Sequence, residues 1–442
     1  MFKTLINAFK IKELRNKLLF TLLMLVVIRF GSSLAVPGIS REYFQQWLDY
    51  YLGDGFNLID AFTGGSFSSM SVLALGITPY ITSSIIMQLL TIAIPKLEEM
   101  QKDGEDGRKK IASITRYVTV GLALIESAAM AYGFGNENII ETDQKVLNYI
   151  AIVAILTAGS AFLMWIGERI TESGVGNGIS IVLTINILSR VPQDLKSLYD
   201  KFMADTTLPK AILAGVIIFL IIIGMIILVV LLNDGVRKIP VQYAKRIQGN
   251  KMVGGSTTYI PVKVNTAGVI PVIFASSFLQ FPLVICQITG LTSKATGFWA
   301  GVLKSLNSDN WCRFNKEEII YSIGLLAYIV LVVFFAYFYT NITFNPIEVA
   351  NNLKKNGGFI PGIRPGKPTS DYLSGVVKRI IFIGAIGLTI VCIIPFFFNG
   401  IFGADVSFGG TSLIIIVSVT IETIRQIESQ MLVRNYKGFL ND

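Results

Sequence analysis

Histidine is absent from all 442 residues. That absence excludes Ser-His and Cys-His nucleophile pairs, His-ligated zinc and a histidine proton relay. Cysteine occurs three times, at Cys286, Cys312 and Cys392, with no C-x-x-C, so neither a disulfide framework nor a thiolate metal site is indicated. Charge is scarce: 15% of residues are Asp, Glu, Lys or Arg, against about 25% in soluble proteins. With 52% of residues apolar, a compact soluble domain is excluded. In its place stand apolar runs such as Ile212 to Leu232 and Ile319 to Tyr339. Each reaches the roughly 20 residues that a helix needs to cross a hydrocarbon core of about 30 Å. The pattern is that of an all-α polytopic membrane protein.

Hydropathy predicts ten transmembrane helices, near residues 18–36, 73–94, 115–133, 149–167, 178–191, 212–233, 268–289, 319–340, 376–398 and 411–430. The formal charge is +9, and its placement sets the topology. With the N-terminus inside, 27 of the 38 basic residues fall on the cytoplasmic side, beginning with Lys3, Lys10, Lys12, Arg15 and Lys17. The inside loop from Asn233 to Asn265 carries six basic residues against Asp234 alone, whereas those outside are diluted by acids. This bias predicts cytoplasmic N- and C-termini. The expected organisation is an N-terminal segment 1–17, a first half 18–191, an external hinge loop 192–211, a second half 212–430 and a tail 431–442. Cleavage of a signal peptide near Ser33-Leu34-Ala35 is the rival reading of the start. The run from Leu18 to Val36 is long enough to span, and the later loop charges fit its retention.

Between Phe56 and Met70 the apolar residues are interrupted by Gly64-Gly65 and by Ser66, Ser68, Ser69 and Ser71. A lipid-facing span is excluded there, because irregular backbone at membrane depth survives only inside protein or against a wet cavity. The segment reads as a re-entrant helix folded into a central cavity, the alternative being a polar surface loop. The halves also repeat. Gly76-Ile-Thr-Pro79-Tyr-Ile81-Thr-Ser-Ser84-Ile-Ile-Met-Gln88 aligns without gaps to Gly268-Val-Ile-Pro271-Val-Ile273-Phe-Ala-Ser276-Ser-Phe-Leu-Gln280. More weakly, Gly178-Ile-Ser180-Ile-Val-Leu183 matches Gly410-Thr-Ser412-Leu-Ile-Ile415. Five helices per half force inverted topology, and inverted repeats place the transport path where Gly- and Pro-interrupted helices meet at the midplane. Ile81, Ile273, Leu183 and Ile415 end the matched pairs, with Ile77 and Ile187 one turn from the first and third. An aliphatic ring excludes water and ions yet widens by side-chain rearrangement, which suits a large and variable cargo.

Two inside loops, 233–266 and 341–375, carry more pattern than connectors need. Arg237 to Arg246, Gly249 to Ser256 and Tyr259 to Val264 are consistent with a basic β-hairpin. In the second loop Asn345 caps a short helix with Pro346 first and Glu348 third, Lys354-Lys355 near its end, and Gly357-Gly358 as the stop. Phe359-Ile-Pro-Gly-Ile-Arg364-Pro-Gly follows. Ordered basic projections suit an acidic partner or ribosomal RNA phosphates; the competing reading is that these charges only set topology. Gly174-Val-Gly176-Asn-Gly178 looks like a dinucleotide loop only superficially, since no strand precedes it.

These residues resemble the SecY family, the pore subunits of bacterial protein-conducting channels, over nearly the whole chain. The resemblance rests on Ala74 to Ile81, Gly174 to Ser180, Arg237 to Arg246, Ala267 to Phe274, Phe359 to Gly366 and Gly409 to Ser412. It implies two inverted five-helix halves, an hourglass pore, a plug and a lateral gate, in a multi-pass protein of the bacterial cell membrane. By motif position it implies a pore ring of Ile77, Ile81, Leu183, Ile187, Ile273 and Ile415. The plug would lie near 57–70, with Ile59, Phe62, Gly64, Gly65, Phe67 and Met70. Gate positions would be Thr82 and Gln88 opposite Ser277 and Phe281, and partner contacts Arg246, Lys251, Lys354, Lys355 and Arg364. The implied partners are SecE, SecG, the SecA motor or a translating ribosome, signal peptides and nascent chains, and the lipid bilayer. No cofactor, metal or catalytic residue is implied, and energy comes from the partners. A proton-coupled secondary transporter is the alternative, prompted by the in-span Arg29, Glu126 and Glu422.

Overall fold

The computed structural model describes residues 2–44, 46, 60, 62–136, 140, 145–204, 208–243, 246–248, 251–253, 257–288, 298–306, 311–312, 319–402 and 410–438. A short amphipathic helix α1 (Phe2–Lys10) leads into α2 (Lys12–Ser33). Next come α3 (Thr78–Ala93), α4 (Pro95–Lys102), α5 (Glu105–Asn136), α6 (Lys145–Ser173), α7 (Gly178–Phe202) and α8 (Leu208–Asp234). The sequence then leaves the helical period for strands β1 (Val236–Tyr243), β2 (Arg246–Gln248), β3 (Lys251–Val253) and β4 (Thr257–Lys263). Helices α9 (Ile270–Ile288), α10 (Phe298–Leu306), α11 (Ile323–Thr343) and α12 (Pro346–Lys355) follow, then the two-residue strand β5 (Gly358–Phe359), α13 (Lys367–Phe402) and α14 (Gly410–Gly438).

Each of the ten candidate segments is helical, but the helices differ in reach. Among the described residues, five are long and apolar enough to cross a membrane: 105–134, 146–173, 211–234, 323–355 and 367–398. A sixth arises if the bent pair α3 and α4, which turn by 101° at Ile94, counts as one span. The chain is therefore a multi-pass membrane protein. The expected external loop 192–211 is mostly helical, since α7 continues through Pro192 to Phe202 and α8 begins at Leu208.

The starts of the repeated segments share one geometry. Gly76 and Gly268 both adopt left-handed backbone, with φ of 60° and 65°. A helix begins two residues later in each case, with Pro79 and Pro271 at its second position, where a missing N–H costs nothing. Gly178 and Gly410 each open a helix. The Gly174–Gly178 turn joins two helices: Asn177 Oδ1 accepts the N–H groups of Ile179 and Ser180 at 3.2 and 3.5 Å. A Cβ on Gly178 would lie 1.9 Å from Gly167 O, so this glycine serves a close helix crossing.

The main core runs through the centre of the bundle, joining Ile28, Ile77, Ile166, Val182, Leu183, Val272, Val332, Val391 and Ile415. A second cluster, with Phe44, Phe67, Met70, Phe134 and Ile152, lies toward the C-terminal end of α2. A third holds the strands against the start of α13 through Ile239, Val241, Val262, Leu353, Leu373 and Val377.

Candidate functional site: aliphatic centre, inserted segment and basic platform

Four helices contribute the aliphatic centre. Ile77 precedes α3 and Ile81 lies one turn into it; Leu183 and Ile187 are on successive turns of α7; Ile273 stands in the first turn of α9 and Ile415 in the second turn of α14. All six belong to one apolar cluster. Ile77, Leu183, Ile187 and Ile415 are buried to 2% exposure or less, while Ile81 and Ile273 are half-buried against them.

The segment beside this centre differs from the expected re-entrant helix. Asp60, Phe62 and Thr63 are helical, but residues 64–70 form consecutive turns; Ile59 lies outside the described residues. Left-handed backbone at Gly64 (67°), Gly65 (83°) and Met70 (46°) breaks the helix. Phe62 packs on the central cluster, and Phe67 and Met70 pack in the second one. The Phe67 ring meets Phe44 edge-on at 6.0 Å.

Polar contacts hold the segment in place. The Asp60 carboxylate pairs with Arg190 of α7 and accepts the Ser68 N–H at 2.9 Å. Asn186 Nδ2 donates to Phe62 O at 3.2 Å. Gly64 O accepts from Arg29 Nη1 and from Ser189 Oγ, each at 3.3 Å. A Cβ on Gly64 would lie 2.8 Å from Asn186 O, so only glycine permits this approach. Sequence reasoning missed these partners; the available signal was that Asp60 is the sole acid between Gly55 and Ile94. Residues after Ser33 are also engaged, with Val36 N–H donating to Met70 O at 3.1 Å and Val72 N–H to Leu34 O at 2.9 Å.

At the positions expected to form a gate, Thr82, Gln88 and Ser277 are half-buried, and the Phe281 side chain lies outside the described residues. Thr82 Oγ1 donates to Thr78 O of its own helix at 3.1 Å. The α3 and α5 helices are joined by a short Ser83–Thr119 hydroxyl contact. On its other side α9 is held to α11 by aromatic rings, Phe274 on Phe335 at 5.6 Å and Phe274 on Tyr339 at 6.4 Å, which sequence reasoning also missed.

The two basic loops form one platform. Strand β1 pairs antiparallel with β4 from Val236↔Lys263 to Gln242↔Thr257. Its end also pairs with β5, Gln242↔Phe359 and Tyr243↔Gly358, so both loops share a three-stranded sheet. Arg246 and Lys251 lie on the two-stranded ribbon β2–β3 beyond it, their side chains outside the described residues. The cap at Asn345 forms as expected, its Oδ1 accepting from Ile347 N and Glu348 N at 3.1 and 3.4 Å. Lys354 and Lys355 are exposed at the end of α12. Arg364 is exposed between the left-handed Gly362 and Gly366, and its carbonyl accepts Thr369 Oγ1 at 2.8 Å. A side-chain chain fixes the base of the sheet to α14: Asn265 Nδ2 donates to Asn233 Oδ1 at 2.9 Å, Asn233 Nδ2 to Ser418 Oγ at 2.6 Å. The Asp234–Arg425 ion pair adds to it.

The charges that prompted a transporter have different surroundings. Arg29 is occupied by a backbone carbonyl, Glu126 is half-buried on α5 and Glu422 is exposed on α14.

The fold is that of a helical membrane bundle with a basic strand-and-helix platform. The chain belongs to the SecY family, whose model matches residues 71–424. It is 41% identical over 447 residues to the protein translocase subunit SecY of Bacillus licheniformis, covering 100% of both chains. Among solved structures it shares its fold with one described as the structure of a protein conducting channel, at TM-score 0.60 and 19% identity, covering 94% of this chain and 92% of that one. Sec61 in a canine ribosome–channel complex from the endoplasmic reticulum is similar at TM-score 0.60 and 16% identity, with 94% and 92% covered.

Proposed function

We propose that this chain is the pore subunit of a bacterial protein translocase, passing unfolded secretory polypeptides across the cell membrane and releasing transmembrane segments sideways into lipid. The observation that carries the mechanism is the gathering of six aliphatic side chains from four helices into one apolar cluster. Such a centre offers no coordinating oxygens to an ion. It excludes water at rest and deforms around a chain of arbitrary sequence when its helices part.

The remaining parts follow from that centre. Ten spans form two inverted halves hinged between α7 and α8, a reading supported by the shared geometry at Gly76 and Gly268. Residues 60–70 are the plug. The lateral gate lies where α3 and α5 face α9, at Thr82, Gln88, Ser277 and Phe281. No hydrogen bond crosses from Thr82 or Gln88 to Ser277 among the described residues, so shape and apolar packing hold the closed gate. The aromatic seam with α11 makes α9 move with the second half.

The platform of β1, β4, β5 and α12 is the cytoplasmic dock, with Arg246, Lys251, Lys354, Lys355 and Arg364 meeting the acidic groups or phosphates of SecA or a ribosome. Both termini are cytoplasmic. SecE and SecG complete the complex, and the chain itself performs no covalent chemistry.

The test is translocation by the reconstituted complex. With motor and ATP, a secretory client bearing a signal sequence becomes protease-protected inside vesicles. Protection that never exceeds that of vesicles lacking this chain overturns the proposal.

A further inference from the structure

The Asp60–Arg190 ion pair lies largely out of water, with side chains 8% and 13% exposed, and joins residues 130 apart on two elements. One carboxylate performs two tasks. One oxygen accepts the Ser68 N–H and so shapes the 64–70 turns, while the other holds Arg190. Beside it, Asn186 and Ser189 of α7 and Arg29 of α2 donate to the carbonyls of Phe62 and Gly64. Asn186, Ser189 and Arg190 fall on one face of α7, and Ile187 of the aliphatic centre is Asn186's neighbour in sequence. The helix that supplies two ring residues therefore also supplies three anchors for the segment beside the ring.

Resting on the reading of 60–70 as the plug, we propose that Asp60 and Arg190 are positioning residues of a polar latch that holds the plug against the ring, completed by Arg29, Asn186 and Ser189. The chemistry makes the latch sensitive to wetting. In a dry closed centre each charge-assisted or carbonyl hydrogen bond is strong, because its loss leaves a buried group unsatisfied. Once a client hydrates the path, water replaces each bond at small net cost. Buried Asp194, one turn beyond Arg190 on α7, keeps a second carboxylate within the field of the guanidinium. An arriving client thus releases the plug by admitting water, with no energy source in this chain.

The experiment uses the full complex in planar bilayers and vesicles. Asp60→Asn and Arg190→Gln should each raise resting ion conductance by at least about tenfold, since each breaks the largely buried ion pair that ties residues 60–70 to α7. The double variant should leak no more than the worse single one, as expected for groups acting as a unit. Asp60→Cys with Arg190→Cys should crosslink at rest and block translocation until reduced. Additive leaks, unchanged conductance in both single variants, or a cysteine pair that never crosslinks would overturn the latch. A crosslinked channel that translocates at the normal rate would instead overturn the plug reading. Should a single variant fail to accumulate, the cysteine pair decides alone.

Discussion

The basic platform and the aliphatic centre are built on opposite principles. At the platform, order comes from local chemistry: the Asn345 cap, Pro346 at the first helical position, left-handed glycines and a ladder of strand hydrogen bonds, all leaving charge exposed. At the aliphatic centre no single residue carries a local signal, and order comes from the convergence of helices distant in sequence. On the proposed reading the platform recognises by fixed, exposed charge, whereas the centre seals by excluding water and gives way to any chain. A rigid dock and a yielding seal must nevertheless be joined. The Asn265–Asn233–Ser418 chain ties the base of the sheet to α14 one turn from Ile415.

The largest effect that would break this contrast is at Arg364. Its guanidinium forks onto carboxylates or phosphates in a way lysine does not reproduce. Arg364→Glu should abolish client protection in the motor-driven assay while topology and resting conductance stay unchanged, and Arg364→Lys should fall between. Normal translocation by Arg364→Glu would reduce the loop to a connector and move attention to Arg246.

Next in size is a comparison within the repeat. Gly76→Ala and Gly268→Ala both force a side chain into left-handed backbone, a cost of roughly 1–2 kcal/mol each. Only at Gly76 does the new Cβ meet a neighbour, Thr63 Cγ2 at 3.0 Å, whereas Gly268 has open space. Gly76→Ala should therefore lower the thermal midpoint more and raise resting leak, with Gly268→Ala close to wild type in leak. Equal leaks would separate the inserted segment from the ring.

Smaller again is the cap. Asn345→Ala should destabilise α12 by about 1 kcal/mol. That appears as faster amide exchange over 346–355 and weaker partner binding, with no change in conductance. Smallest is Gln88→Leu, which should shift the gate's open population by no more than several-fold, since polar contacts between membrane helices contribute about 0.6–2 kcal/mol. An effect as large as that of Arg364→Glu would place a cross-gate bond at the centre of closure.

The same contrast governs what the sequence could disclose. The helices, the Asn345 cap, the hairpin and the register of the Gly76 and Gly268 segments were legible because each follows from hydropathy, a cap residue or a repeated Gly–Pro spacing within about a dozen positions. The aliphatic residues were legible only through the repeat, since an isolated isoleucine in a membrane helix announces nothing. Pairing of β5 with β1 lay beyond reach because two residues more than a hundred positions away carry no period. The Asp60–Arg190 pair and the Phe274–Phe335 contact were hidden for the same reason: each is created by packing. The segment before Ser71 was expected as a re-entrant helix on its apolar content, but Gly64, Gly65 and Met70 take residues 64–70 out of the helical region.

Resting conductance of ring variants tests the central claim most directly. Ile81→Asn and Ile273→Asn place amides in the half-buried positions of the cluster, where they hold water without leaving a cavity. Reconstituted channels carrying either substitution should pass ions at rest, with Ile81→Asn plus Ile273→Asn leaking more than either alone and client translocation retained. Conductance indistinguishable from wild type in the double variant, with the protein folded and inserted, would contradict the claim that this aliphatic centre is the seal.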